Sequence, residues 1–96
     1  MKILISEVQS DRMVKIIKKI VSLIDFEGGV KDFDVYPPDY DEEFPTYNIM
    51  LSLDYDWMRE NEFHTQQYLR NVRAGVKDRV QELTGLKNIY VGTMMK

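Results

Sequence analysis

Residues 47–55, YNIMLSLDY, decide the fold of this chain, because their side chains alternate with a period of two. The apolar set is Tyr47, Ile49, Leu51, Leu53 and Tyr55, and the intervening residues are Asn48, Met50, Ser52 and Asp54. This period predicts a β-strand with one buried face. Upstream, residues 30–36, VKDFDVY, place Phe33 and Val35 on one face and predict a shorter strand. Pro37-Pro38 ends it, because proline cannot donate a ladder hydrogen bond.

The chain before these strands predicts an amphipathic helix over about residues 7–26. Ser6 and Gln9 form a capping box at its start, and Gly28-Gly29 provides the left-handed conformation expected at its end. Its apolar stripe consists of Val8, Met13, Ile16, Ile17, Ile20, Leu23 and Ile24.

A second long helix is predicted from about Thr65 to Thr84, followed by a Gly85 C-cap and the apolar Leu86. Its stripe consists of Leu69, Val72, Val76, Val80 and Leu83. Residues 57–64 fit either a short helical turn after an Asp56 cap or an irregular lead-in. Residues 88–94, NIYVGTM, predict the closing strand, with Ile89 and Val91 on one face.

These elements predict a single α+β domain over residues 1–96, in the order α-β-β-(α)-α-β. Strands joined through a helix usually lie parallel, with a right-handed crossover. We therefore expect a two-layer sandwich in which two amphipathic helices cover a three-stranded mixed sheet.

Composition excludes several kinds of chemistry. The 96 residues include no cysteine and one histidine, His64, which excludes disulfides, cysteine nucleophiles and histidine-rich metal sites. Asp39, Asp41 and Glu43 have the spacing of calcium ligands, but Phe44 and Met50 stand where that loop requires glycine and glutamate. Phosphate-binding glycine motifs are missing, as are apolar runs long enough to span a membrane. We expect no enzyme, cofactor, metal or membrane partner.

Charge is distributed unevenly along the chain, although the net charge is only −3. Residues 1–26 carry a balance of +2, residues 27–62 a balance of −9, and residues 63–96 a balance of +4. An acidic middle between basic flanks fits either a solubilising loop or contact with a second copy or another protein of matching polarity.

The second long helix carries a basic stripe, Arg70, Arg73 and Lys77, with Arg79 to one side. Such a stripe could follow nucleic-acid phosphates. The element order also resembles the bacterial type of KH fold, which implies single-stranded nucleic-acid binding. Against this, WMRENEFHTQ at residues 57–66 contains no G-x-x-G turn, and the isoelectric point is near 5.1. Nucleic-acid binding is therefore the second hypothesis.

The segment ILISEVQSDRMVKII, residues 3–17, resembles the start of many small proteins of tailed bacteriophages. The matching positions are Ile3-Leu4-Ile5, Ser6-Glu7, Gln9 and Arg12. This resemblance implies a phage origin, in the virion or the host cytoplasm, and implies no activity.

The leading hypothesis is a non-enzymatic protein–protein interaction module, either a virion or assembly component or an anti-host accessory protein, which could also form homo-oligomers. A metal-dependent enzyme built on Asp54 and Asp56 is a third, weaker alternative. Aromatic anchors and acidic neighbours are the predicted partner-binding residues, namely Tyr36, Asp39, Tyr40, Asp41, Glu42, Glu43, Phe44 and Trp57.

Overall fold

The computed structural model describes residues 2–38, 45–61 and 65–95, and for residues 2–10 and 65 it describes the backbone alone. The described elements are α1 (Lys2–Ser22), β1 (Val30–Tyr36), β2 (Tyr47–Leu53), α2 (Tyr55–Glu60), α3 (Thr65–Thr84) and β3 (Ile89–Met95). This order confirms the α+β prediction, and the ambiguous segment after β2 contains a short helix.

The sheet has the order β1-β2-β3, with β2 in the centre. β1 pairs antiparallel with β2, and Val35 lies opposite Ile49. β2 pairs parallel with β3, and Ile49 lies opposite Val91. The mixed sheet and the parallel crossover are therefore as predicted.

Both long helices pack on the same face of the sheet, α1 over β1 and α3 over β3. The core joins Ile17 and Val21 of α1, Val76 and Val80 of α3, and the inward-facing strand residues, Val35, Tyr47, Ile49, Leu51, Ile89 and Val91. The alternation at residues 47–53 therefore marks the buried face correctly.

The predicted bounds of the first helix are wrong at both ends. α1 begins at Lys2, so Ser6 lies inside the helix and is not its N-cap. α1 ends at Ser22, whose hydroxyl donates to the Lys19 carbonyl at 2.7 Å. The next amides donate three residues back, Leu23 N–H to the Ile20 carbonyl at 3.2 Å, which tightens and ends the helix well before Gly28-Gly29.

The predicted apolar stripe of α1 also needs correction. Val21, which the stripe omitted, is fully buried, whereas Ile16 is 48% exposed and Leu23 is 78% exposed. Leu83 of α3 is likewise 55% exposed, although the stripe prediction placed it in the core. These three exposed aliphatic side chains lie between α1 and α3.

Asp54, and not Asp56, caps the short helix α2, because β2 ends at Leu53. The Asp54 carboxylate accepts a hydrogen bond from the Trp57 backbone N–H at 3.1 Å. Tyr55 consequently opens the helix and is 54% exposed, instead of extending the buried face of the strand.

α3 ends as predicted. Gly85 has φ +75°, and its N–H donates to the Gln81 carbonyl at 2.8 Å. Leu86 then packs against the core. β3 (Ile89–Met95) begins and ends one residue later than the predicted strand, residues 88–94.

Candidate interaction surfaces

The sheet face opposite the helices is the first candidate surface, and we call it the outer sheet face. Its first row is Tyr36, Asn48 and Tyr90, which are partners across the three strands. Tyr36 is 51% exposed and Tyr90 is 56% exposed. Two large aromatic side chains on the edge strands therefore flank a half-buried asparagine.

The central strand contributes the polar Asn48 and Ser52 and the apolar Met50 to the outer sheet face, Ser52 is only 2% exposed, and the β1 edge is acidic. Asp34, Met50 and Gly92 form the second row, and Asp32, Ser52 and Met94 form the third. Met94 is 47% exposed, Met50 is half-buried, and both aspartates are exposed. The face thus combines aromatic and thioether surface with a carboxylate edge.

Gly92 lets the side chains of Tyr90 and Met50 pack directly against the backbone of β3, because they occupy the space where a Cβ atom at position 92 would lie. A Cβ atom there would lie 2.9 Å from Cε2 of Tyr90 and 3.0 Å from Sδ of Met50. Only a residue without a side chain lets both neighbours lie so close to the backbone of β3.

The structure places the sequence-predicted partner-binding residues in different regions. Tyr36 lies on the outer sheet face, at the end of β1. Asp39, Tyr40, Asp41, Glu42, Glu43 and Phe44 lie outside the described residues, and in the sequence they begin three positions after Tyr36.

Trp57 lies at the opposite end of β1 from Tyr36. Its ring packs against Tyr68, with centroids 4.6 Å apart and planes tilted by 43°. It also contacts the glycine turn before β1, where a Cβ at Gly28 would lie 3.1 Å from the indole. Six residues of strand span ~20 Å, so Trp57 and Tyr36 do not share one surface.

Trp57 and Tyr68 hold the turn that precedes β1, and we call this arrangement the aromatic clamp. The Tyr68 hydroxyl donates to the Phe26 carbonyl, and the Asp54 N–H donates to the Gly29 carbonyl at 2.9 Å. Burial raises the pKa of Tyr68, and the nearby Glu27 carboxylate raises it further. The clamp therefore joins α3, α2 and the start of the sheet.

The predicted nucleic-acid residues fall on two sides of α3. Arg70, Arg73 and Lys77 are exposed and follow one another at helical spacing. Arg79 lies on the other side, where it lines a groove between α1 and α3. The basic stripe therefore has three members.

That groove, which we call the α1–α3 groove, consists of two adjoining cavities of about 430 Å³ and 260 Å³. Leu23, Ile24 and Arg79 line both cavities, so they form one continuous depression on the helical layer. Seven of the fifteen lining residues are aliphatic and two are aromatic, and the charged ones are Lys19, Asp25, Glu27 and Arg79.

Metal-site geometry is missing from the described part of the chain, where no three His, Cys, Asp or Glu residues cluster. The Asp54 carboxylate caps α2 instead of facing a shared site with Asp56. Among the helices described, none is both long enough and apolar enough to cross a membrane.

Comparison with known proteins finds no matching family model, no matching curated protein and no matching solved structure. The fold itself is a small α+β sandwich in which both long helices pack on one face of a three-stranded mixed sheet.

The predicted partner-binding residues did not include Tyr90 or Met94, which are exposed on the outer sheet face. Their signal was present in the closing strand, because they alternate with the buried Ile89 and Val91. A tyrosine opposite a buried face indicates an exposed aromatic whenever no second helical layer covers the sheet. The exposure of Leu23 carried no comparable signal, since it depends on where α1 ends.

Proposed function

We propose that this protein is a non-enzymatic protein–protein interaction module that binds its partner through the outer sheet face. The observation that carries the proposal is the pairing of Tyr36 and Tyr90, each about half exposed, across Asn48. Tyrosine supplies large contact area at a low cost in conformational entropy, and aromatic residues dominate binding hot spots.

Charge on the outer sheet face indicates the chemistry of the partner. Asp32 and Asp34 line the β1 edge, and the acidic segment 39–44 follows that strand in the sequence. Carboxylates at the rim of an interface raise the rate of encounter with a basic surface and repel an acidic one. The partner we propose therefore presents an apolar centre with lysine or arginine beside it.

Because residues 3–17 resemble phage proteins, we propose that the module acts in the virion or in the host cell. A virion or assembly component and an anti-host accessory protein both act by protein contact.

Site-specific photo-crosslinking tests the proposal. A photoreactive phenylalanine analogue replaces Tyr90 in one variant and the exposed Ala74 of α3 in a control variant, each expressed in the cells from which the gene comes. We expect a discrete crosslinked product at position 90, and its loss when Tyr36→Ala is added. Equal crosslinking at both positions, or none at position 90, would contradict the proposal.

Nucleic-acid binding is the second candidate function, favoured by the exposure of Arg70, Arg73 and Lys77 along one side of α3. Three phosphate contacts to a single strand predict a slope of roughly −2 for log affinity against log salt. Titration with single-stranded RNA at several salt concentrations measures this slope. Binding with that slope, lost in Arg73→Glu, supports this function, whereas no binding at low salt removes it.

A further inference from the structure

The α1–α3 groove leaves large aliphatic side chains exposed to solvent. Leu23 is 78% exposed, Leu83 is 55% exposed and Ile16 is 48% exposed, and all three line the groove. Scattered exposed aliphatic residues are common, but a continuous apolar depression marks a site of association.

Charge along the groove changes sign from one end to the other. Asp25 and Glu27 line only the cavity beside the glycine turn, and Lys19 lines only the other cavity. Arg79 lines both cavities where they join, and it lies one helical turn from Gly75, or ~6 Å along α3 in the direction of Lys19. The groove is therefore acidic at the end beside the glycine turn and basic from the junction of the two cavities to the Lys19 end.

Gly75 lies midway between Tyr68 and Leu83, the first and last α3 residues that line the groove, and no described residue is close enough to explain the lack of a side chain there. It is exposed inside α3, and a Cβ atom at this position would meet nothing within 4 Å. Glycine in a helix interior costs about 0.5–1 kcal/mol relative to alanine. A glycine at this position would allow another molecule to approach the backbone of α3 closely.

We propose that a second copy of this chain occupies the α1–α3 groove and forms a two-fold symmetric dimer. In a dimer whose two-fold axis crosses the groove near Gly75, the acidic end of each copy faces the basic end of the other. Glu27 of one copy then lies beside Arg79 of its partner, and the contact repeats by symmetry. The charge pattern opposes the alternative axis along the groove, because like charges would then meet.

This dimer uses residues on the helical layer, so it does not depend on the proposed function of the outer sheet face. The two surfaces lie on opposite sides of the sandwich, and a dimer would therefore present two copies of the outer sheet face to partners.

Reciprocal charge reversal tests the proposal by sedimentation equilibrium. Glu27→Arg and Arg79→Glu each place two like-charged contacts in a homodimer, so each should raise the dimer dissociation constant about tenfold or more. An equimolar mixture restores opposite charges at both contacts, so its heterodimer should form with nearly wild-type affinity. Failure of the mixture to recover association would overturn the proposed geometry.

Gly75→Gln separates loss of the dimer from loss of folding. Glutamine at this open position favours the helix and should raise the melting temperature of the dilute protein, while its side chain blocks the groove and removes the dimer. The matched control, Tyr36→Ala with Tyr90→Ala, should dimerise normally. A wild-type protein that stays monomeric at its solubility limit overturns the proposal, as does a dimer that Gly75→Gln leaves intact.

Discussion

Gly29→Ala should destabilise the protein by displacing Tyr68 from the aromatic clamp. A Cβ at position 29 would lie 2.5 Å from Cζ and 2.6 Å from Cε2 of Tyr68, distances that real Cβ atoms do not show. The Tyr68 ring cannot move aside freely, because its hydroxyl is bonded to the Phe26 carbonyl and its face packs on Trp57.

The expected cost follows from the contacts that Tyr68 loses. The hydrogen bond contributes about 1 kcal/mol, and the aromatic pair contributes about 0.5–1.5 kcal/mol. Gly29 has no positive φ, so alanine adopts its backbone conformation and regains about 0.5 kcal/mol through the unfolded state. Residual steric strain adds a further ~1 kcal/mol, and we expect a net loss of about 2.5 kcal/mol.

A double-mutant cycle with Tyr68→Ala measures this coupling. Urea unfolding followed by the fluorescence of Trp57, the single tryptophan, reports the free energy of unfolding of each variant. Once Tyr68 is removed, only the effect on the unfolded state remains, so Gly29→Ala should stabilise by about 0.5 kcal/mol and the coupling energy should be about 3 kcal/mol. An equal effect of Gly29→Ala in both backgrounds would refute the clamp. Gly75→Ala is the control, because a Cβ atom at this position meets nothing within 4 Å. In dilute, monomeric protein it should raise the free energy of unfolding by about 0.5–1 kcal/mol.

Three further changes have defined outcomes. Asp54→Ala removes the α2 cap and should lower the free energy of unfolding by about 1 kcal/mol, with Asp56→Ala as a control that has little effect in the same urea titration. Burial raises the pKa of Tyr68 above its ordinary value of 10.0, so the folded state holds this proton more tightly than the unfolded state. The stability advantage of wild type over Tyr68→Phe should therefore be complete below pH 10 and shrink as pH rises through the folded pKa; an advantage that grows above pH 10 would contradict this. Gly92→Ala pushes the flexible Met50 and the exposed Tyr90 ring outward, so it should change thermal stability little but weaken partner binding severalfold in a binding titration.

Alternation and helical periodicity were sufficient to predict the architecture. Residues 47–53 have one buried face because period-two patterning reflects the geometry of a strand directly. Gly85 ends α3 as predicted because a left-handed C-cap is a local requirement.

Features that depend on distant residues could not be predicted in this way. The Ser6 and Gln9 capping box fits a helix start locally, yet the backbone continues as helix back to Lys2. Gly28-Gly29 was interpreted as a helix cap, although its neighbour is Tyr68, which follows Phe26 by 42 residues. Local sequence contains no information about that contact.

The candidate surface was predictable in part. The exposure of Tyr36 follows from its position after the inward-facing Val35, and the same alternation applies to Tyr90. The separation of Trp57 from Tyr36 requires the register of β1 on β2, which single-strand patterns do not contain.

Quantitative affinity capture from the source cells tests the central claim most directly, because it compares the two candidate faces in one measurement. Wild type, the outer-face variant Tyr36→Ala/Tyr90→Ala and the basic-stripe variant Arg70→Glu/Arg73→Glu are used as matched baits, with and without nuclease. We predict a protein partner that wild type and the basic-stripe variant retain after nuclease treatment and that the outer-face variant loses. Retention by the outer-face variant, with loss in the basic-stripe variant or after nuclease, would contradict the account.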